Sequence, residues 1–506
     1  MRKSRTYQDA IAALNGLQSN AQTIEKARKE RDVNANKNIP WMEKLVRIIN
    51  IEPVDLDRLN IIHVSGTKGK GSTCAFTESL LRRSGYRTGF FSSPHLVAVR
   101  ERIRLDGVPL AEDVFTRYFW DVHDALRDGC QPEEMPPYFK FLTVMSFYVF
   151  LQEKVDVAVV EVGIGGTFDS TNVIKHPTVC GVSSLGYDHM SILGETLPEI
   201  ARHKAGIFKP GVPAVTVRQP EEAMMVLQKH AESLSCPLYV VPQLNQYPTE
   251  DNIPIDLGLE GPVQEWNASL ALQLCRIWLE RTQKPHAHSR SENEVPNQKE
   301  NLRFEQSSKV EECEPFLVTS ALRTALKECR WPGRFHRFSQ KNLDFFIDGA
   351  HTKESVAFCA GWFRKSALSK DSKKVLIFNS TADRKIEDLL SPLINCGFNV
   401  ALFCPNILEV VKVNAASDQA NFTVNRDQQL ARCGKQKILW EELNGVKQRK
   451  DSVAEAICFD SVKDTLAWLE DFAENNDGKV EILVTGSLHL VGAVLSVLDP
   501  TLENVL

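Results

Sequence analysis

Ile61-Ile62-His63-Val64-Ser65 runs directly into Gly66-Thr67-Lys68-Gly69-Lys70-Gly71-Ser72-Thr73, and an amphipathic segment over 74–83 follows. An apolar strand, a glycine-rich turn and a helix start in succession leave few folds open. Main-chain N–H groups and a helix N-terminus then converge on one point, which is an anion site. Glycines let the backbone approach phosphate oxygens, a lysine brings charge to the β- and γ-phosphates, and a hydroxyl after it reaches magnesium. In the strict pattern Ser or Thr follows the lysine directly, whereas Gly71 here separates Lys70 from Ser72, so the loop is a variant. Lys68, Gly69, Lys70, Gly71 and Ser72 are the expected nucleotide contacts. The alternative, a glycine turn that binds nothing, is disfavoured by the two lysines and the flanking elements.

The surroundings read as α/β. From about residue 60 to 215, apolar runs bounded by glycine alternate with helical patterns, the signature of parallel strands joined by crossover helices. Strands are expected at 59–64, 155–162 and 178–183, each near-continuously apolar as a strand buried on both faces must be. Helical patterns cover 197–202, 267–281 and 317–329, and Trp331-Pro332-Gly333-Arg334 then breaks the periodicity as a hinge. Strands are expected again at 343–347, 375–378, 400–403 and 480–485.

At 506 residues the chain exceeds one ordinary core, so two domains are expected, 1–328 and a smaller 329–506. The stretch 282–314 is polar, with almost no large apolar residues, and is expected to be a flexible insertion.

Composition narrows the function. Hydrophobic content of 43% and charged content of 25% fit a globular protein outside the membrane, and a net charge of −5 offers no basic field for nucleic acid. The twelve cysteines form no Cys-x-x-Cys pair, which suits reduced thiols. The longest apolar stretch, 141–151, is too short to span a bilayer. Arg2, Lys3 and Arg5 precede no apolar core, so neither a secretory signal nor a transit peptide is expected. The Asn-x-Ser/Thr matches at Asn267, Asn379 and Asn421 then read as chance.

Three further strand ends carry polar groups. Val157-Ala158-Val159-Val160-Glu161 releases one carboxylate into Val162-Gly163-Ile164-Gly165-Gly166, where burial without a cation is unfavourable. A metal or a basic side chain would satisfy it, and beside a phosphate loop magnesium fits better. Ser183-Ser184-Leu185-Gly186-Tyr187-Asp188-His189 sits where open α/β sheets bind ligands. Phe345-Phe346-Ile347-Asp348-Gly349-Ala350-His351 repeats the design, although Asp348 before glycine also reads as a turn former.

The loop, Phe91-Ser92-Ser93-Pro94-His95-Leu96 and Arg100-Glu101-Arg102-Ile103-Arg104 together resemble eukaryotic folylpolyglutamate synthases, relatives of the Mur peptide ligases. Members of that family carry the same variant loop. The resemblance covers about residues 41–492 and implies a Mur-ligase-like P-loop domain with a mainly parallel sheet, plus a smaller Rossmann-like α/β domain. It implies magnesium ligands at Ser92, Glu161 and His189, ATP contacts at Arg334, Asp348 and Asn267, and a catalytic set of Lys70, Lys204 and His351. Lys204 is implied to be carbamylated by carbon dioxide, which requires a neutral amine.

The implied reaction is ATP- and magnesium-dependent addition of L-glutamate to reduced folates by a monomer in the cytosol, with mitochondria as a second compartment. Asn379 to Arg384 and Gly486 to His489 resemble segments lining the incoming amino acid. Alternatives are dihydrofolate synthase, a nucleotide-binding protein without ligase activity, and a small-molecule kinase.

Overall fold

The computed structural model describes residues 5–18, 35–261, 263–283, 310–367, 372–380, 385–409, 417–418, 426–447, 455–476 and 478–502. Two sheets organise them. The first comprises β1 (Ile62–Ser65), β2 (Thr88–Phe91), β3 (Ile103–Leu105), β4 (Val108–Pro109), β5 (Val157–Glu161), β6 (Val179–Val182), β7 (Ala214–Thr216), β8 (Leu238–Val240) and β9 (Glu311–Glu312), in the order β4-β3-β2-β5-β1-β6-β7-β8-β9. Only the β2–β3 and β3–β4 pairs are antiparallel.

The second sheet comprises β10 (His336–Gln340), β11 (Leu343–Ile347), β12 (Lys373–Phe378), β13 (Val400–Phe403), β14 (Glu455–Cys458) and β15 (Val480–Thr485), in the order β10-β11-β15-β12-β13-β14. All but β10 are parallel.

Alternation explains the apolar runs. Val157 and Val159 of β5 enter one core, while Ala158 and Val160 enter the core on the opposite face. In the second sheet Val480, Ile482 and Val484 point one way and Leu483 the other. Helix Lys70–Arg83 is buried from Ser72 to Leu81, packed against helices Gln264–Thr282 and Ser320–Glu328. The phosphate loop is thereby clamped from behind.

Several boundaries differ from the sequence reading. The first strand starts at Ile62, because Leu59 closes a 3-10 turn (Pro53–Leu59) and Asn60 takes a left-handed φ of 44°, which apolar pattern cannot reveal. The proposed insertion is narrower than 282–314. Helix Gln264–Thr282 takes its first residue, Glu311–Glu312 pair in parallel with Tyr239 and Val240, and Cys313 is buried. Exposed glutamates suit this position because an edge strand turns its charges to solvent. Residues 284–309 lie outside the described residues. Helix Leu197–Ala205 continues past its expected end at 202. Among the described residues no helix is long and apolar enough to cross a membrane.

His63 on β1 is fully buried, bonded through Nε2 to Thr171 Oγ1 at 2.8 Å, with Nδ1 unpartnered. Burial, reinforced by Lys209, pushes its pKa down to about 3. The unfolded chain then binds the proton that the folded one refuses, so stability falls as pH drops below the ordinary histidine value of about 6.5. The loss approaches about 1.4 kcal/mol per pH unit. Denaturant melts at descending pH should show that slope, and His63→Gln should flatten it.

Candidate active site

β1 lies between β5 and β6, so the loop after it meets the C-terminal ends of both. This is the reversal point at which open α/β sheets bind ligands. Thr67 and Lys68 donate their main-chain N–H groups to Ser184 O at 2.9 and 3.0 Å, which ties the loop to the end of β6. Gly66 takes φ 143° with its Cβ position 1.9 Å from Ser183 Oγ. Gly69 is the left-handed N-cap of helix Lys70–Arg83, pressed against Asn267. The first-turn N–H groups of Lys70, Gly71 and Ser72, next to that cap, have no intrahelical partners. Gly66→Ala should push the loop off β6 and lower kcat/KM for ATP on the order of 100-fold, the scale of an ångström's misplacement, in steady-state assays.

Glu161 ends β5 buried, and its Oε2 accepts a hydrogen bond from Ser93 N at 3.1 Å. Among the described residues its other oxygen has no hydrogen-bond partner, and no cation lies within ion-pair distance. Burial raises its pKa, opposed chiefly by the charge of Lys70. Ser92, also buried, makes no side-chain hydrogen bond among the described residues and lines the same cavity as Glu161, Gly71 and Arg334. A free carboxylate oxygen and a free hydroxyl facing one cavity are hard donors that suit magnesium.

His189 occupies a left-handed position (φ 52°) before helix Met190–Leu193. Desolvation and the lysines Lys70, Lys204 and Lys68 hold its imidazole below the usual range, against the pull of Asp188. Lys204 is buried in the last turn of helix Leu197–Ala205, its Nζ donating to Gly66 O at 2.7 Å. Burial, then repulsion from Lys70, depresses its pKa well below that of an ordinary lysine. Lys70 thus acts electrostatically on Glu161, His189 and Lys204 alike.

The second lobe reaches this centre through His351. Lys68 Nζ lies 2.9 Å from Asp188 Oδ2 and 3.0 Å from His351 Nε2. His351 Nδ1 faces Gly349 O at 2.7 Å, and since a carbonyl only accepts, Nδ1 carries the proton. Burial would raise Asp188, but His351 and Lys68 override it and keep the carboxylate ionised. Asp348 is buried, with Oδ2 accepting from Phe335 N and Oδ1 from Ala350 N, both at 2.9 Å. It holds the hinge turn beside Arg334, so the turn-forming reading of Asp348 is realised.

Asn267 faces the phosphate loop, Oδ1 accepting from Thr73 Oγ1 at 3.4 Å and Nδ2 donating to Gln264 at 2.9 Å. Asn379 is buried and donates to Asn406 Oδ1 at 3.2 Å, while 381–384 lie outside the described residues. Trp331 was not marked as functional by its sequence, yet its indole lies 2.9 Å from the Cβ position of Gly71. Nothing local to Trp331 signals that contact. The Asp188–Lys68–His351 bridge had a partial signal in the Asp188-His189 pair.

No family model matches the chain. The mitochondrial folylpolyglutamate synthase of Homo sapiens is 42% identical to it, over 99% of this chain and 93% of that protein. The chain belongs to the folylpolyglutamate synthase family. A putative folylpolyglutamate synthase of Caenorhabditis elegans is 41% identical over 97% of this chain and 92% of its own length. Among solved structures, the Mycobacterium tuberculosis folylpolyglutamate synthase complexed with ADP and AMPPCP superposes with a TM-score of 0.67 at 21% identity, covering 94% of this chain and 98% of that one. The two-sheet architecture is thus the folylpolyglutamate synthase fold, the Mur-ligase-like arrangement expected from the sequence.

Proposed function

We propose that the protein is a folylpolyglutamate synthase that joins L-glutamate to the γ-carboxylate of a folyl-(poly)glutamate at the expense of ATP. A carboxylate is inert to amines because it is charged and resonance-stabilised. One of its oxygens attacks the γ-phosphorus of ATP, the bond to the β-phosphate oxygen breaks, and ADP leaves. The amine of L-glutamate attacks the resulting acyl phosphate, loses a proton, and expels phosphate as the amide forms.

The observation that carries this reading is the Lys68–His351 contact, which joins the phosphate loop of one lobe to the strand-end motif of the other across 283 residues of sequence. It supports a site assembled only when the lobes meet, as orienting two substrates and excluding water require. Lys70 and the first-turn N–H groups hold the triphosphate, with Lys68, Gly69, Gly71, Ser72 and Asn267 shaping the loop. Arg334 and Asp348 complete the nucleotide site from the hinge. Ser92, Glu161 and His189 would hold magnesium, which when bound supplies neutralisation of phosphate charge. Lys204 is the candidate for carbamylation, and Asp188 and Lys68 keep His351 facing the loop.

The lobes divide at 328/329. We assign the enzyme to the cytosol with a mitochondrial pool, the latter supported by the mitochondrial name of the human relative, and read it as a monomer.

Purified protein should release ADP only when L-glutamate and a folate are both present. Release without L-glutamate would make it a kinase, and no release a non-ligase. Tetrahydrofolate should far outrun dihydropteroate as acceptor, and the reverse preference would make it a dihydrofolate synthase.

A further inference from the structure

Arg104 on β3 is 4% exposed, yet among the described residues no carboxylate lies within ion-pair distance of it. Its Nε donates to Glu101 O at 3.2 Å and its Nη1 to Gly107 O at 3.3 Å, and its guanidinium lies over the Trp331 ring, 5.0 Å from the centroid. Nη2 has no partner among the described residues. The carboxylates nearby are engaged elsewhere. Glu101 accepts from the N–H groups of Leu96, Val97 and Ala98, Glu78 from Arg82 Nε and Thr88 Oγ1, and Asp106 from Thr88 N. Glu101 and Glu78 act on it only through space, and a buried guanidinium with no directly paired anion is unfavourable unless a ligand supplies one.

Its position says which ligand. Arg104 lines the cavity that holds Ser92, Glu161 and Arg334, and also a second cavity on the far side of Trp331 bounded by Arg82 and Arg330. An acceptor whose γ-carboxylate faces Glu161 and whose remainder enters the second cavity passes Arg104. The terminal glutamate of a folyl acceptor has one other acidic group, the α-carboxylate, chemically equivalent to the γ-carboxylate as a nucleophile. Something must hold it away from the phosphate.

We infer that Arg104, backed by Trp331, binds the α-carboxylate of the acceptor's terminal glutamate and so directs phosphorylation to the γ-carboxylate. Planar guanidinium and planar carboxylate match in geometry, and a site built for that pair rejects a ligand lacking the anion. The inference rests on the folyl-(poly)glutamate ligase reading and adds to it how the two carboxylates are told apart.

The test compares a monoglutamyl tetrahydrofolate with an analogue whose terminal glutamate is replaced by 4-aminobutyrate, which keeps the reacting carboxylate and lacks the α-carboxylate. Wild-type enzyme should favour the true acceptor by about 100-fold or more in kcat/KM. Arg104→Gln should use both acceptors alike, at about the wild-type rate on the analogue, with the KM values for ATP and L-glutamate unchanged. Arg104→Lys, which keeps charge and bulk, should retain part of the preference and stands in if the glutamine variant does not fold. Retention of the full wild-type preference in Arg104→Gln, an equal loss on both acceptors, or a rise in the KM for L-glutamate alone would each overturn the inference. Wild-type protein that adds no glutamate to either acceptor would instead overturn the ligase reading, and this inference with it.

Discussion

Glu161→Ala should abolish glutamate addition, lowering kcat on the order of 1,000-fold, while the protein stays folded. The carboxylate is buried, has one oxygen without a partner, and lines the cavity with Ser92 and Arg334. Removing one preorganised electrostatic group from a dry site typically lowers kcat by 100- to 1,000-fold, and loss of the proposed magnesium ligand would lie at the upper end. Stability should move the other way. Burial raises the pKa of Glu161, which means the folded protein disfavours its charged form, so alanine removes a buried charge with no close cation. The melting temperature of the variant should match or exceed that of the wild type without ligand, and the stabilisation produced by magnesium and ATP together should shrink. Near-normal turnover in the folded variant would remove Glu161 from the active site.

Lys204→Ala should slow turnover about 100-fold and respond to added short carboxylic acids such as acetate. The ammonium of Lys204 is disfavoured by burial first and by Lys70 second, which favours the neutral amine, the form that reacts with carbon dioxide, over that of an ordinary lysine. Nitrogen attacks the carbon of carbon dioxide and loses a proton, leaving a carbamate with one N–H still able to donate to Gly66 O, 2.7 Å away. The new anion would sit among Lys70 and Lys68, both of which act on this residue electrostatically. An exogenous carboxylate entering the space vacated by the side chain supplies the same charge. Full activity without acid would end the carbamate assignment. Activity that is low and stays low at every acid concentration would leave Lys204 a support of the loop at Gly66.

The two variants probe different layers of one centre. Glu161 is set by its strand, a run of valines that delivers a single acid at the sheet edge. Lys204 is set by a helix whose last turn lies under the phosphate loop, so its effect passes through Gly66 as well as through charge.

How far this was readable before folding depends on the range of each interaction. The strand, loop and helix from Ile62 to Arg83 are local: apolar alternation, glycines at forced φ angles and a helix start lie within about two dozen residues, and the pattern alone placed Lys70 and Ser72. The burial of Glu161 at its strand end was legible for the same reason, since one acid closing an apolar strand has a short list of fates. The start at 62 rather than 59 and the strand pair Glu311–Glu312 inside 282–314 have no sequence signal, because a left-handed Asn60 and an acidic edge strand have no distinctive periodicity.

The sequence by itself therefore determined the elements, their α/β class and the chemical character of each strand end. Sheet order, with β1 between β5 and β6, was decided only by the tertiary structure, as were Lys68 against His351, Trp331 against Gly71 and the burial of Arg104 without a direct ion pair among the described residues. The physical reason is that such contacts join residues far apart along the chain. Their favourable energy comes from desolvation and close packing, which no short window of sequence contains.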